Sequence, residues 1–428
     1  IRMNSFNRYM NDGKRAMEND DYLRAAENFY NASKISEKLF FNKKAYVKSA
    51  CKEADCYLLI ALETDEEDIS NKYYARAAGI YGNIIHDKRY KDTDYYADAL
   101  AGLIVVYDFI GHELDEKWET LIVLMEKEVK KIDKIDTYIK NDNGVDEVPI
   151  YRWIKVYSTL AEHYYLKIIT NYTFMYDFNT IKKALEYYEN YDILINFVRE
   201  RDEEIGELIN PIYNAQIRVE LMILAACFSV DNDMNPEQYV KEAIDLCQKY
   251  LNDASMSIKN DKESYVSFKL LVAKGYSELG KYYDKKGKRE RSNKYMRKAY
   301  DEMIPLLEYE ADEVPLTLII GVGYDAIFTG FCSDENLKKI LHNYRDLLSQ
   351  IEGKPTEMGW YVFNICDACK GIIEIYGFSQ EAWEMGQYIT EEVKNIKEYV
   401  QEDQRINFNS YYNYFHQDTR KVIRNSIK

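Results

Sequence analysis

Residues 276 to 305 read YSELGKYYDKKGKRERSNKYMRKAYDEMIP, and how this stretch is read decides the fold. Gly280 sits among strong helix formers, where a glycine costs about 1 kcal/mol relative to alanine. A helix keeps such a residue where another backbone or a large side chain must come close. The run KKGK breaks the pattern, and beyond it Ser292, Met296 and Ala299 recur at i, i+4 and i+7, on one face of a second helix. Two antiparallel helices crossing at their small residues account for every one of these positions.

Residues 11 to 34, NDGKRAMENDDYLRAAENFYNASK, repeat the arrangement. Gly13 lies on a first helix, Tyr22 at the turn, and Ala25, Phe29 and Ala32 along one face of a second helix. The spacing Tyr276-x2-Leu279-Gly280-x2-Tyr283, then Ser292-x3-Met296-x2-Ala299 and Pro305, resembles the tetratricopeptide repeat, whose pattern is W-x2-L-G-x2-Y, then A-x3-F, a further Ala and often Pro. Ala54, Tyr57, Ala77 and Tyr81 share their mutual spacing with Ala161, Tyr164, Ala184 and Tyr188, as in longer versions of the same hairpin. A further pair places Leu224, Ala225 and Phe228 before Ala243, Cys247 and Tyr250.

Turn signals at KDTD, NDNGVDEVP, DNDMNPE, KKGK, SDEN and GKPTE divide the chain into about eight hairpins. Their expected spans are 3–39, 43–86, 92–138, 147–200, 203–253, 260–309, 312–352 and 355–402. The expected fold is all-α: a right-handed solenoid of antiparallel helix pairs over 1–404, closed by a capping helix over 405–428. In such an array each pair buries its apolar face against its neighbours.

Composition agrees. Only 6 Pro and 18 Gly punctuate 428 residues, and strand signals are scarce. The net charge of -16 opposes general affinity for nucleic acid or anionic membrane. That charge is uneven, because both ends of the chain are net positive around an acidic middle. Seven scattered cysteines fit a reduced, cytoplasmic protein. The longest apolar runs, LMILAACFSV at 221–230 and PLTLIIGVG at 315–323, are far shorter than the roughly 18–20 residues that span a bilayer. The 41 tyrosines suit half-exposed seams between helices, ring inward and hydroxyl to water. A sharper alternative has some of them lining a peptide groove.

Motifs for chemistry fail on inspection. EGKPTE at 352–357 lacks the upstream glycine of a phosphate loop, and GVGYDAIFTG has no strand before it; close packing explains Gly321 and Gly323 better. DNDMNPEQYVKE has the ligand spacing of a calcium loop but Pro236 where the sharp turn needs glycine. Asn235 as N-cap with Pro236 opening a helix explains the same letters. Cys366 and Cys369 form a CxxC without a second pair or nearby histidines, which reads as two core thiols. His86, His112, His163, His342 and His416 are isolated. No enzyme activity, cofactor or metal is expected.

Resemblance to the repeat family implies a ligand groove lined by the first helices. The position six residues before the crossing is Asn7, Lys48, Lys155, Val219 and Lys274, and with Lys14 and Lys281 the polar members form the candidate ligand row. Three lysines at one offset in an acidic protein imply an acidic peptide or a carboxylate terminus as partner. The family's carboxylate clamp is not carried over, since Met10 and Lys14 stand where it has Lys and Asn. A separate basic patch, Lys285, Lys286, Lys288, Arg289 and Arg291, belongs to a segment (281–298) with nine basic and two acidic residues and interleaved tyrosines, a pattern that can hold single-stranded nucleic acid.

The leading expectation is an adaptor that binds a protein or peptide. One alternative is a peptide-responsive regulator. Another, kept open by the start at Ile1, is the recognition region of a larger enzyme such as a protease.

Overall fold

The structure is a computed structural model that describes residues 2–38, 42–93, 95–110, 116–132, 135, 150–169, 177–201, 211–253, 261–310, 312–351, 355–395 and 402–426. His112, the NDNGVDEVP break and the start of EGKPTE lie outside them. Eighteen α-helices account for nearly all of the described chain, and no strand occurs among the described residues. They are α1 (Arg2–Glu18), α2 (Tyr22–Lys38), α3 (Lys43–Glu63), α4 (Glu67–His86), α5 (Tyr96–Ile110), α6 (Glu116–Val129), α7 (Ile150–Ile169), α8 (Phe178–Arg199) and α9 (Pro211–Asp231). There follow α10 (Glu237–Asn252), α11 (Lys262–Lys285), α12 (Arg289–Met303), α13 (Leu316–Ile327), α14 (Asp334–Ile351), α15 (Pro355–Tyr376), α16 (Gln380–Asn395), α17 (Glu402–Phe415) and α18 (Thr419–Ser426).

The chain divides into two units, Ile1–Ile169 with Lys183–Ile209, and Thr170–Lys182 with Asn210–Lys428. Each is a stretch of α-solenoid. Consecutive helices pair, and second helices such as α2, α4 and α10 pack in turn on the first helix of the next pair.

The turns inside the pairs share a grammar that the sequence explains. Gly287 has φ +69°, and Lys288 N–H reaches back to the Tyr283 carbonyl at 2.8 Å, which satisfies a carbonyl left over at the end of α11. Asp20 and Asp233, both at φ 58°, do the same at the ends of α1 and α9, where Asp21 N–H meets the Ala16 carbonyl at 2.9 Å and Met234 N–H the Ser229 carbonyl at 2.7 Å. In several pairs a capping side chain then opens the second helix, whereas α12 opens at Lys288 and α4 at Glu66 without one. Asp21 accepts from Arg24 N–H, Asn235 from Glu237 N–H, Ser333 from Asn336 N–H and Ser379 from Ala382 N–H.

The helices cross at the small residues. A Cβ built on Gly13 meets the Phe29 ring at 2.7 Å, and one on Gly280 meets Met296 at 2.8 Å, each pair sixteen positions apart in sequence. Ala25, Ala32, Ala54, Ala77, Ala161 and Ala184 are fully buried. A Cβ built on Gly323 meets Ile340 at 3.0 Å, whereas one on Gly321 meets only Leu270, at 3.9 Å, so close packing accounts for Gly323 and not for Gly321.

The C-terminal segment holds two helices where one was expected. Asp418 accepts from Arg420 N–H and starts α18 after α17 has ended at Phe415. Phe415 is fully buried, its ring against Gly386 and 5.6 Å from Trp383.

In the first unit a buried ionic cluster ties four helices together. Arg152 of α7 contacts Asp98 of α5 at 2.8 Å and pairs with Asp55 of α3, which also accepts from the Tyr81 hydroxyl of α4 at 2.5 Å. One guanidinium faces two carboxylates. Burial, and then the Asp55 charge, push the Asp98 carboxyl up to about 6.

Candidate functional site

First helices of successive pairs lie side by side in the second unit, and their half-buried polar groups meet from helix to helix. Lys274 of α11 approaches Asp325 of α13 at 3.7 Å, beyond direct hydrogen-bond length. Tyr324, next along α13, donates to Asp367 of α15 at 2.7 Å, and Tyr411 of α17 donates to the other oxygen of that carboxylate at 3.0 Å. Lys281 pairs with the buried Glu278 at 2.7 Å, one turn away on its own helix. Burial raises the Asp325 carboxyl above its ordinary range, against the pull of Lys274 and Lys281. The α13–α15 approach is close because Gly371 lets the Phe328 ring come to 2.8 Å of where a Cβ would stand.

In the first unit Lys155 of α7 pairs with Asp108 of α5, and Lys48 of α3 lies over the Tyr95 ring at 5.6 Å. Asn7 and Lys14 are exposed on α1. Val219, which shares the offset of the lysine row, is fully buried in α9. The sequence-derived row is thus broken at that position. Equal offsets from a crossing residue do not guarantee equal facing when neighbouring helices differ in length and rotation. Lys155, Lys274 and Lys281 each carry a carboxylate partner from the same chain.

The basic patch is divided by its contacts. Lys285 donates to the Val230 carbonyl at 2.9 Å, near the C-terminal end of α9, where a cation also complements the helix dipole. Lys286, Lys288, Arg289 and Arg291 are exposed, with Lys288 and Arg291 over the Tyr283 ring at 5.9 and 5.4 Å.

Cys366 and Cys369 are buried on α15 with their thiols pushed well up by burial, which disfavours the reactive thiolate. Pro236 is in right-handed helical conformation at the start of α10, with Asn235 capping it, in place of a calcium loop. Among the described residues no group of three or more His, Cys, Asp or Glu is placed to hold a metal ion. No described helix is long and apolar enough to cross a membrane.

The partners Asp325, Asp367 and Glu278, and the Asp55–Arg152–Asp98 cluster, were not found from sequence. A signal was there. Asp325 interrupts the apolar run of α13, and Asp98 the run YADALAGLIVV of α5; a lone carboxylate inside an apolar helix has to find a partner.

No protein-family model matches the chain, and no curated protein matches it. Among solved structures, a circular tandem repeat protein with novel repeat topology and enhanced subunit contact surfaces is similar at 12% identity, over 99% of this chain and 97% of that one, with a TM-score of 0.30. A chain in the structure of Naa15/Naa10 bound to HypK-THB is similar at 12% identity, over 99% of this chain and 70% of that one, with a TM-score of 0.15. Superpositions that weak carry no argument about fold or function.

Proposed function

We propose that the chain is a tetratricopeptide-like binding scaffold without chemistry of its own, which takes an acidic peptide segment on the face formed by its first helices. The observation that carries this reading is the pair Lys274–Asp325, held at 3.7 Å between neighbouring first helices. Asp325 is the weaker claimant to the lysine, because burial already disfavours its charged form. An incoming carboxylate that hydrogen-bonds Lys274 directly exchanges a long pair for a short one. Half-buried Tyr324 and Tyr411, fixed by Asp367, add rigid contact area beside it at little entropic cost.

The test is a titration of the full chain with fluorescent acidic peptides, against basic peptides of the same length. Lys274→Gln is expected to weaken the acidic series about tenfold to a hundredfold, roughly the value of one charge-assisted hydrogen bond. The acidic series should also bind more tightly as pH falls toward the ordinary carboxylate range. Protonation of Asp325 then removes the competitor, so complex formation takes up a proton. Equal binding of acidic and basic peptides, or no effect of Lys274→Gln, ends this reading.

A further inference from the structure

The second helix of the sixth pair, α12, carries a surface that the first-helix reading leaves unused. Arg291, Lys294 and Lys298 are exposed at i, i+3 and i+7, which places them along one face over about 10 Å. Among the described residues no carboxylate lies within ion-pairing distance of any of the three. Their segment (281–298) is net +7 in a chain of -16, so the rest of the molecule is net -23.

Aromatic rings hold two of these cations in place. Tyr283 and Tyr295 stack at 5.6 Å with an interplanar angle of 6°, and Tyr295 continues to Tyr276 at 6.3 Å. The Arg291 guanidinium lies 5.4 Å from the centre of the Tyr283 ring, and Lys298 Nζ 5.2 Å from that of Tyr276. Tyr283 is anchored further through its hydroxyl, which donates to Glu237. Charges pinned in this way lose less freedom on binding than charges on loose side chains.

We propose that this face docks an acidic α-helical segment of a partner protein, with Asp or Glu repeating at i, i+3 or i+4, and i+7. The spacing of the three cations fits one such stripe. Nucleic acid fits less well for two reasons. The rings are taken up by one another and by the cations, so they do not offer the open faces on which bases stack. A polyanion longer than the patch also runs onto acidic protein, whereas a segment of two or three helical turns does not.

The experiment uses the full chain and a synthetic helical peptide of about 20 residues bearing a Glu stripe at that spacing. The comparators are a peptide of the same composition with the stripe scrambled and a single-stranded oligonucleotide of equal charge. The striped peptide is expected to bind at least about tenfold more tightly than either at low salt, and to weaken as salt rises. The triple variant Arg291→Gln, Lys294→Gln, Lys298→Gln should lose about tenfold or more and with it the preference for the striped over the scrambled peptide, a preference that Lys274→Gln leaves in place, which separates the site from the first-helix face. Lys294→Gln alone, at an exposed side chain, supplies a reading of several-fold loss should the triple variant fail to fold. Equal affinity for the scrambled peptide, tighter binding of the oligonucleotide, or wild-type affinity in the folded variants overturns the proposal. So does concentration-dependent self-association of the chain that the triple variant abolishes, because the occupant would then be a second copy.

Discussion

At the scale of single residues, glycine and buried charge decide more than their number suggests. A Cβ at Gly13 stands 2.7 Å from the Phe29 ring, while one at Gly79 or Gly82 of α4 meets nothing within 4 Å. Gly13→Ala is therefore expected to destabilise by about 1–2 kcal/mol, overpacking outweighing the gain in helix propensity. Gly82→Ala should stabilise by up to about 1 kcal/mol. Denaturant titration of the two variants checks the opposite signs. Asp98 allows a second prediction. Its folded carboxyl is raised to about 6 from an ordinary value near 3.8, so the folded state holds an extra proton between those values. Stability from this group is complete below about pH 4 and is lost as pH rises through about 6. Asp98→Asn should flatten that fall and be more stable than wild type at pH 7.5, by on the order of 1–3 kcal/mol. Thermal melts of both proteins from pH 4 to 8 test it, and parallel profiles would count against the ionic account of the cluster.

At the scale of elements, the hairpin turn is a small repeated device: a left-handed residue ends the first helix and, in every such pair but the one turning at Gly287, a capping side chain opens the second. Glycine fills the left-handed place at 287, 330 and 377, and aspartate at 20 and 233. A residue with a Cβ pays a steric penalty there that glycine does not. Asp233→Gly is expected to raise stability by up to about 1 kcal/mol, read as a higher melting temperature. Asp20 is a poorer site for the same change, because its carboxylate accepts from the Tyr22 hydroxyl at 3.0 Å. Boundaries of helices were legible from the sequence for the same reason that these turns work, since Gly, Asp, Asn and Ser act locally. The break between α17 and α18 was missed because HQD carries no glycine or proline, and only the Asp418 cap marks it.

At the scale of the whole molecule, stability in a helical-repeat chain is a sum of neighbour contacts, so damage at one place should stay local. Phe415→Ala removes a fully buried ring from Gly386 and Trp383, at a cost of about 3–5 kcal/mol. Hydrogen exchange should then show lost protection in α15 to α18 and unchanged protection in α1 to α4. Loss throughout the chain would mean a single cooperative core and would remove the repeat description. Binding belongs to this scale as well, because Lys274, Asp325, Asp367 and Tyr411 come from four different helices.

The sequence by itself determined the helical class, the small residues at the crossings and most of the hairpin limits, because propensity, capping and the sixteen-residue Gly13–Phe29 and Gly280–Met296 offsets are local properties of the chain. It placed Lys155 and Lys274 in a candidate ligand row. Only the tertiary structure decided that each lysine is paired, with Asp108 and Asp325, and that Val219 is buried. Those outcomes depend on how one helix is rotated and shifted against the next, and that geometry is set by the fit of packed side chains, which no spacing within a single segment encodes.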